Sequence, residues 1–172
     1  MSKIIISDAS TLILLQKIIL LDKLVKNFEF IISQEIYNEA VIKGKKIKSK
    51  DSYSIESKIN SGIIKVKKVK DRKRVNQIID EFSLEKGETE AIVLFLQENA
   101  DILAIDDHKA INVCKIYKIP FITALTFVIA ALDAKIIMKN EAKEMVRNLG
   151  IYGRYKDELV YKALNYAGEK ND

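Results

Sequence analysis

Residues 4–8 read IIISD and residues 102–107 read ILAIDD. Each is a short apolar run with no polar alternation, and each ends in aspartate. A strand with one wet face alternates apolar and polar positions. A run that is apolar throughout belongs to a strand covered on both faces, as in a parallel sheet buried between helices. IPFI at 119–122 has the same character. This pattern constrains the fold more than any other feature. Parallel strands joined by right-handed crossovers place all their C-terminal ends along one edge, and open α/β sheets bind ligands at that edge. Aspartates that follow two such strands therefore arrive at the same place, however far apart they lie in the chain.

Between the apolar runs the spacing turns helical. Residues 10–27 carry dense apolar positions at helical intervals, and Ser33 is a good N-cap for a helix bearing Ile36, Tyr37, Ala40 and Val41. FEFII at 28–32 and GIIKV at 62–66 add two strands. Residues 43–50 read as a basic turn or helix end, and 51–60 as a short helix capped by Asp51 or Ser52. Helices are predicted over 71–82, the second part of 83–100, 107–117 and 124–137. Two amphipathic helices, 139–149 and 154–167, then cover a flank or meet a partner. Strands alternating with helices indicate an α/β fold with a mainly parallel central sheet of about five strands.

The length of 172 residues suits one domain with a small appendage. A single cysteine, Cys114, excludes an internal disulfide and suits a reducing compartment. The apolar run at the N-terminus breaks at Asp8, too soon for a signal peptide, and 119–132 is too short to cross a bilayer. A cytoplasmic protein without membrane contact is expected. The net charge of +5 conceals a division: residues 43–74 carry 13 basic and 3 acidic side chains, whereas the remainder is mildly acidic. Such a segment suits a polyanion such as RNA or DNA; a merely solvated lysine-rich face explains it equally well.

The acids carry the chemistry. Asp8, Asp106 and Asp107 follow strands, and each alone reads as a helix N-cap. Asp106 and Asp107 cannot both cap the same helix. Adjacent parallel strands lie only ~5 Å apart. Carboxylates brought that close raise one another's pKa unless a cation holds them, and hard divalent ions favour such oxygen ligands. KGETEA places Glu88 and Glu90 at the start of an apolar helix, about 200° apart around its axis. Glu90 directly precedes the apolar stripe and is read as the inward one. SQEIYNEA places Glu35 and Glu39 one turn apart. Glu39 lies beyond the helix start, where the dipole gives no reason for an acid.

These motifs together resemble the PIN-domain nucleases. IIISDASTLILLQKI looks like the family's opening strand, acid and helix; FIISQEIYNEA like its second strand and helix, ending in glutamate; GETEAIVLFL and ADILAIDDHKA like the third and fourth acidic motifs of one branch. The likeness covers residues 3–137, with the C-terminal helices resembling tails of that branch. It implies a PIN-like nuclease domain over 1–137 and a helical extension over 138–172 packed on the same domain. It also implies cleavage of RNA or nucleic-acid flaps with Mg²⁺ or Mn²⁺, dimer formation, and in many small members a toxin role beside an antitoxin protein. Carried over motif by motif, the catalytic acids are Asp8, Glu39, Glu90 and Asp107, with Asp8, Glu90, Asp107, Asp106 and Glu88 as metal ligands and Ser10 orienting a water or metal. Glu88 against Glu90, and Asp106 against Asp107, stay open. Two positions depart from the pattern: Ile105 stands where many members have Thr or Ser, and the third acid is Glu rather than Asp.

The lead expectation is a metal-dependent ribonuclease, with Lys43, Lys45, Lys46 and Lys48 steering the RNA backbone. His108 reads as a polar position beside the site and Cys114 as a core thiol. Tyr152 and Tyr155 read as packing, dimer or RNA contacts. The first rival is a PIN-like module that binds nucleic acid or protein without turnover. A phosphoacceptor or nucleotide-binding domain ranks last, for want of a placed lysine and a glycine-rich phosphate loop.

Overall fold

The run IIIS forms the middle strand of the sheet. In the computed structural model, which describes residues 2–169, β1 (Ile4–Ser7) is followed by α1 (Ala9–Lys17) and α2 (Leu21–Leu24). Next come β2 (Glu29–Ser33) and a helix in three parts: α3 (Gln34–Tyr37), a π-helical segment over Asn38–Lys43, and α4 (Gly44–Lys46). The chain continues through α5 (Lys50–Asn60), β3 (Ile64–Lys67), α6 (Arg72–Phe82), α7 (Lys86–Glu98) and β4 (Ile102–Ala104). It ends in α8 (His108–Ile116), β5 (Phe121–Ile122), α9 (Ala124–Asp133), α10 (Lys139–Tyr152) and α11 (Asp157–Glu169). All five strands are parallel, in the order β3-β2-β1-β4-β5.

That order places a switch point between β1 and β4. The chain winds outward from β1 to β2 to β3, then returns over the sheet and winds the other way through β4 and β5. α7, in the return crossover, packs on β1, β2 and β4 with α6 and α8 beside it, while α1 packs against α5 and the π-helical segment. Both faces of the central strands are thereby covered. Ile5, Ile6, Ile31 and Leu103 are almost wholly buried, each contributing roughly 1.5–3 kcal/mol of transfer free energy. In the ladder Ser7 pairs with Ala104, so Asp8 and Asp106, just beyond that pair, leave the sheet side by side. The crevice beyond the strand ends at a switch point is where open α/β sheets bind ligands.

Three local expectations change. The helix expected over 10–27 breaks at 18–20, where Ile19 takes a left-handed backbone (φ 63°). The reversal buries Ile18, Leu20, Leu21 and Leu24 and leaves Ile19 in solvent. Neither Asp51 nor Ser52 caps α5. The helix begins a residue earlier, Asp51 pairs with Lys17 at 2.7 Å, and the Ser52 hydroxyl donates to the Ser49 carbonyl at 2.6 Å. The helix expected over 124–137 ends at Asp133; the chain then turns to bury Ile137.

Ser33 does cap its helix, accepting from the Ile36 amide at 3.2 Å. Cys114 is wholly buried and burial pushes its thiol up to about 12, as a core thiol requires. Ala142, Met145, Val146 and Leu149 of α10 join the same hydrophobic core as the sheet. Among the described residues, no helix is long and apolar enough to cross a membrane.

Candidate active site

The two aspartates after β4 divide their work. Asp107 caps α8, its Oδ1 accepting from the amides of Lys109 at 2.8 Å and Ala110 at 3.0 Å. Asp106 turns to other elements. Its Oδ2 accepts from the Thr11 hydroxyl of α1 at 2.9 Å and from the Ala124 amide that opens α9 at 3.0 Å. Its Oδ1 accepts from the Tyr155 hydroxyl. Each aspartate thus serves a different helix N-terminus, where a negative charge is favoured.

Asp8 caps α1 through the Thr11 amide at 2.7 Å and is 2 % exposed. Burial pushes its carboxyl up to about 7; the Thr11 hydrogen bonds oppose the rise, and the nearby carboxylates of Asp106 and Glu88 add to it. Glu88 is half-buried in the capping box at the head of α7. Its carboxyl is also pushed up to about 7, first by burial and then by Asp107, with Glu85 and Glu39 adding to the rise. Asp8, Glu88, Asp106 and Asp107 therefore form one electrostatic group at the switch point, although they come from three separate stretches of chain.

Glu39 reaches the same region from the π-helical segment. Burial raises its pKa, Lys43 opposes the rise, and Glu35, Glu85 and Glu90 reinforce it. Its carboxylate lies against Gly87 so closely that a Cβ there would stand 2.7 and 2.8 Å from the two carboxylate oxygens. The glycine of GETEA thus admits a glutamate to the N-terminal turn of α7. Gly87→Ala improves helix propensity by roughly 1 kcal/mol while displacing only the end of a flexible side chain. The expected result is an unchanged or slightly raised melting temperature, which thermal unfolding checks.

Glu90 is 1 % exposed, as its position before the apolar stripe predicts. It faces α6, where its Oε1 pairs with Arg72; its Oε2 is buried without a hydrogen-bond partner. Ser10 is exposed in the first turn of α1, and the hydroxyl residue that touches the acids is Thr11. Sequence reasoning passed over it, although Asp-x-x-Thr at a helix start is an N-cap/N3 spacing. Arg72 and Gly87 were not singled out either. Of the four lysines, Lys43, Lys46 and Lys48 are exposed or partly so. Lys45 pairs with both oxygens of Glu56 at 2.9 Å and lies over the Tyr53 ring. Lys43, acting on Glu39, joins the basic segment to the acids. Lys86, which pairs with Glu35 at 2.6 Å, adds a cation at the head of α7.

A donor set of carboxylates alone suits a hard divalent ion such as Mg²⁺ or Mn²⁺. The raised pKa values of Asp8 and Glu88 come first from burial, with neighbouring carboxylates adding to the rise. Among the described residues no group of three or more His, Cys, Asp or Glu side chains is arranged, as it stands, to hold a metal ion. The reason is visible in the bonding: Asp8 and Asp107 cap helices, Asp106 is held by three donors, and Glu90 is tied to Arg72.

A five-strand parallel sheet with acids converging on its central switch point defines a PIN-like α/β protein. A PIN domain family model matches residues 4–169, and the chain belongs to that family. PIN domains are generally nucleases and typically use divalent metals. The match spans the sheet and both C-terminal helices. No curated protein matches the chain.

Proposed function

We propose that this chain is a Mg²⁺- or Mn²⁺-dependent endoribonuclease whose acid cluster at the β1/β4 edge is the catalytic centre. The observation that carries this reading is the meeting of acids at the β1/β4 edge: Asp8 is 2 % exposed, Thr11 bonds both it and Asp106, and the carboxyl of Asp8 is raised by burial first and then by Asp106 and Glu88. Asp8, Glu88, Asp106 and Asp107 would hold the metal; Glu39 and Glu90 would complete the acidic wall. Such an ion, when bound, would make a coordinated water more acidic and stabilise charge on phosphoryl oxygens. The chain's own part is to fix geometry. Thr11 orients Asp8 through its amide and Asp106 through its hydroxyl. Lys43 and Lys86 place positive charge beside the acids, where an RNA backbone would run, and Lys46 and Lys48 extend that track. On this reading RNA is the substrate, and the chain would act as a homodimeric toxin held by an antitoxin protein, a role that rests on the resemblance of its acidic motifs alone.

Cleavage of single-stranded RNA is expected to vanish in EDTA and to return with Mn²⁺. Binding is expected to weaken steeply between about 50 and 200 mM salt, as phosphate contacts require. A second reading, a PIN-like module that binds without cutting, is favoured by Ile105, where many members of the family have Thr or Ser. It predicts the same salt dependence but no cleavage with any divalent ion.

A further inference from the structure

We propose that Tyr155 is a positioning residue for Asp106, so that the segment joining α10 to α11 completes the acid edge; this rests on the nuclease reading above. Asp106 lies in the irregular stretch between β4 and α8, partly open to solvent, and leaves the capping of α8 to Asp107. Thr11 and Ala124 both bond its Oδ2. Tyr155 bonds its Oδ1 across 49 residues of sequence. A carboxylate held at one oxygen can swing about it; one held at both is fixed. The phenol is itself oriented, because its oxygen accepts from the Leu125 amide at 3.2 Å and its proton is left for Asp106.

The chain is shaped to allow this. A Cβ at Gly153 would stand 2.6 and 2.7 Å from two carbons of the Tyr155 ring and 2.8 Å from the Leu149 carbonyl oxygen. Neither the ring nor the backbone can yield cheaply, so glycine two residues earlier lets the tyrosine fold back from the end of α10. The ring also packs on the core. The short segment GRY thereby connects the C-terminal helical hairpin to the end of β4.

Tyr155→Phe removes the hydroxyl alone. Mn²⁺ titrated calorimetrically into the full chain is expected to bind about 10-fold more weakly, within the range for loss of a group that orients a ligand. Tyr152→Phe, an exposed neighbour, is expected to bind as the parent does. A metal-free readout stands beside this one. In amide hydrogen exchange, Ala124, which donates to the other oxygen of Asp106, is expected to exchange about 10-fold faster in Tyr155→Phe. Thr126, bonded to Thr123 at the same helix start, is expected to keep its rate, which separates a moved carboxylate from a frayed helix. Unchanged exchange at Ala124 overturns the proposal, and so does a parent-like Mn²⁺ affinity. A parent that binds no Mn²⁺ defeats the nuclease reading, while Ala124 alone still decides the positioning.

Discussion

Asp8→Asn is expected to lower RNA cleavage by at least about 100-fold and, in the same sample, to make the metal-free protein more stable at pH 8. The two effects have one cause. Asn is as good an N-cap as Asp, so the bond from the Thr11 amide survives and α1 keeps its start. What disappears is a buried charge. For metal binding that charge is the asset, and removal of a direct ligand exceeds the roughly 10–100-fold loss found when a supporting group is removed. For folding the charge is a liability. Asp8 rises from about 3.8 to about 7 on burial, so at pH 8 its ionisation opposes folding by at most on the order of 4 kcal/mol. Relief of that penalty corresponds to a rise in melting temperature on the order of 10 °C for a chain of this size. Cleavage assays with Mn²⁺ and thermal unfolding in EDTA measure the two arms. A mutant that cuts at the parent's rate would end the nuclease reading.

This opposition between stability and function explains which parts of the molecule the sequence discloses. The sheet is legible because burial on both faces leaves a mark in every residue of IIIS and ILA, and because parallel topology dictates where the next residues go. That the acids after β1 and β4 meet is therefore a consequence of the strands alone. Helix phase, by contrast, reports burial without reporting what the burial faces. It correctly turns Glu90 inward, yet the inward direction leads to Arg72 of α6, and the half-exposed Glu88 is the one coupled to Asp8 and Asp107.

Other features depend on contacts between distant segments. The approach of Glu39 to Gly87 joins the π-helical segment to α7, and no local pattern in either stretch announces it. A π-helical turn shifts the phase of the downstream helix by a fraction of a turn, which periodic spacing cannot anticipate. The hydroxyl of Tyr155 is bound by residues of two other elements, so in sequence it reads as one more aromatic of an amphipathic tail. The left-handed backbone at Ile19 likewise has no glycine or asparagine to announce it.

The raised carboxyls also fix how stability, pH and metal are linked. A buried acid whose folded pKa lies above its unfolded one favours the folded state when protonated. The share that Asp8 and Glu88 contribute is therefore fully present below about pH 4 and is lost as pH rises through about 7. Metal-free protein is expected to lose stability across that window. On the proposed reading Mn²⁺ would bind the ionised carboxylates, competing with protons below about pH 7 and meeting an open site above it. At 100 times its dissociation constant, Mn²⁺ stabilises by about 2.7 kcal/mol, or roughly 5–10 °C here, at pH 8. At pH 5 the same concentration is expected to shift the melting temperature far less. Binding at about pH 6–7 is expected to release protons, seen as a heat that changes between buffers of different ionisation enthalpy, and Asp8→Asn is expected to reduce that release. Equal Mn²⁺ shifts at pH 5 and pH 8, with no buffer dependence, would mean that the ion binds elsewhere on the surface. The acids at the β1/β4 edge would then be a crowded set of helix caps, and the PIN fold here a scaffold for binding alone.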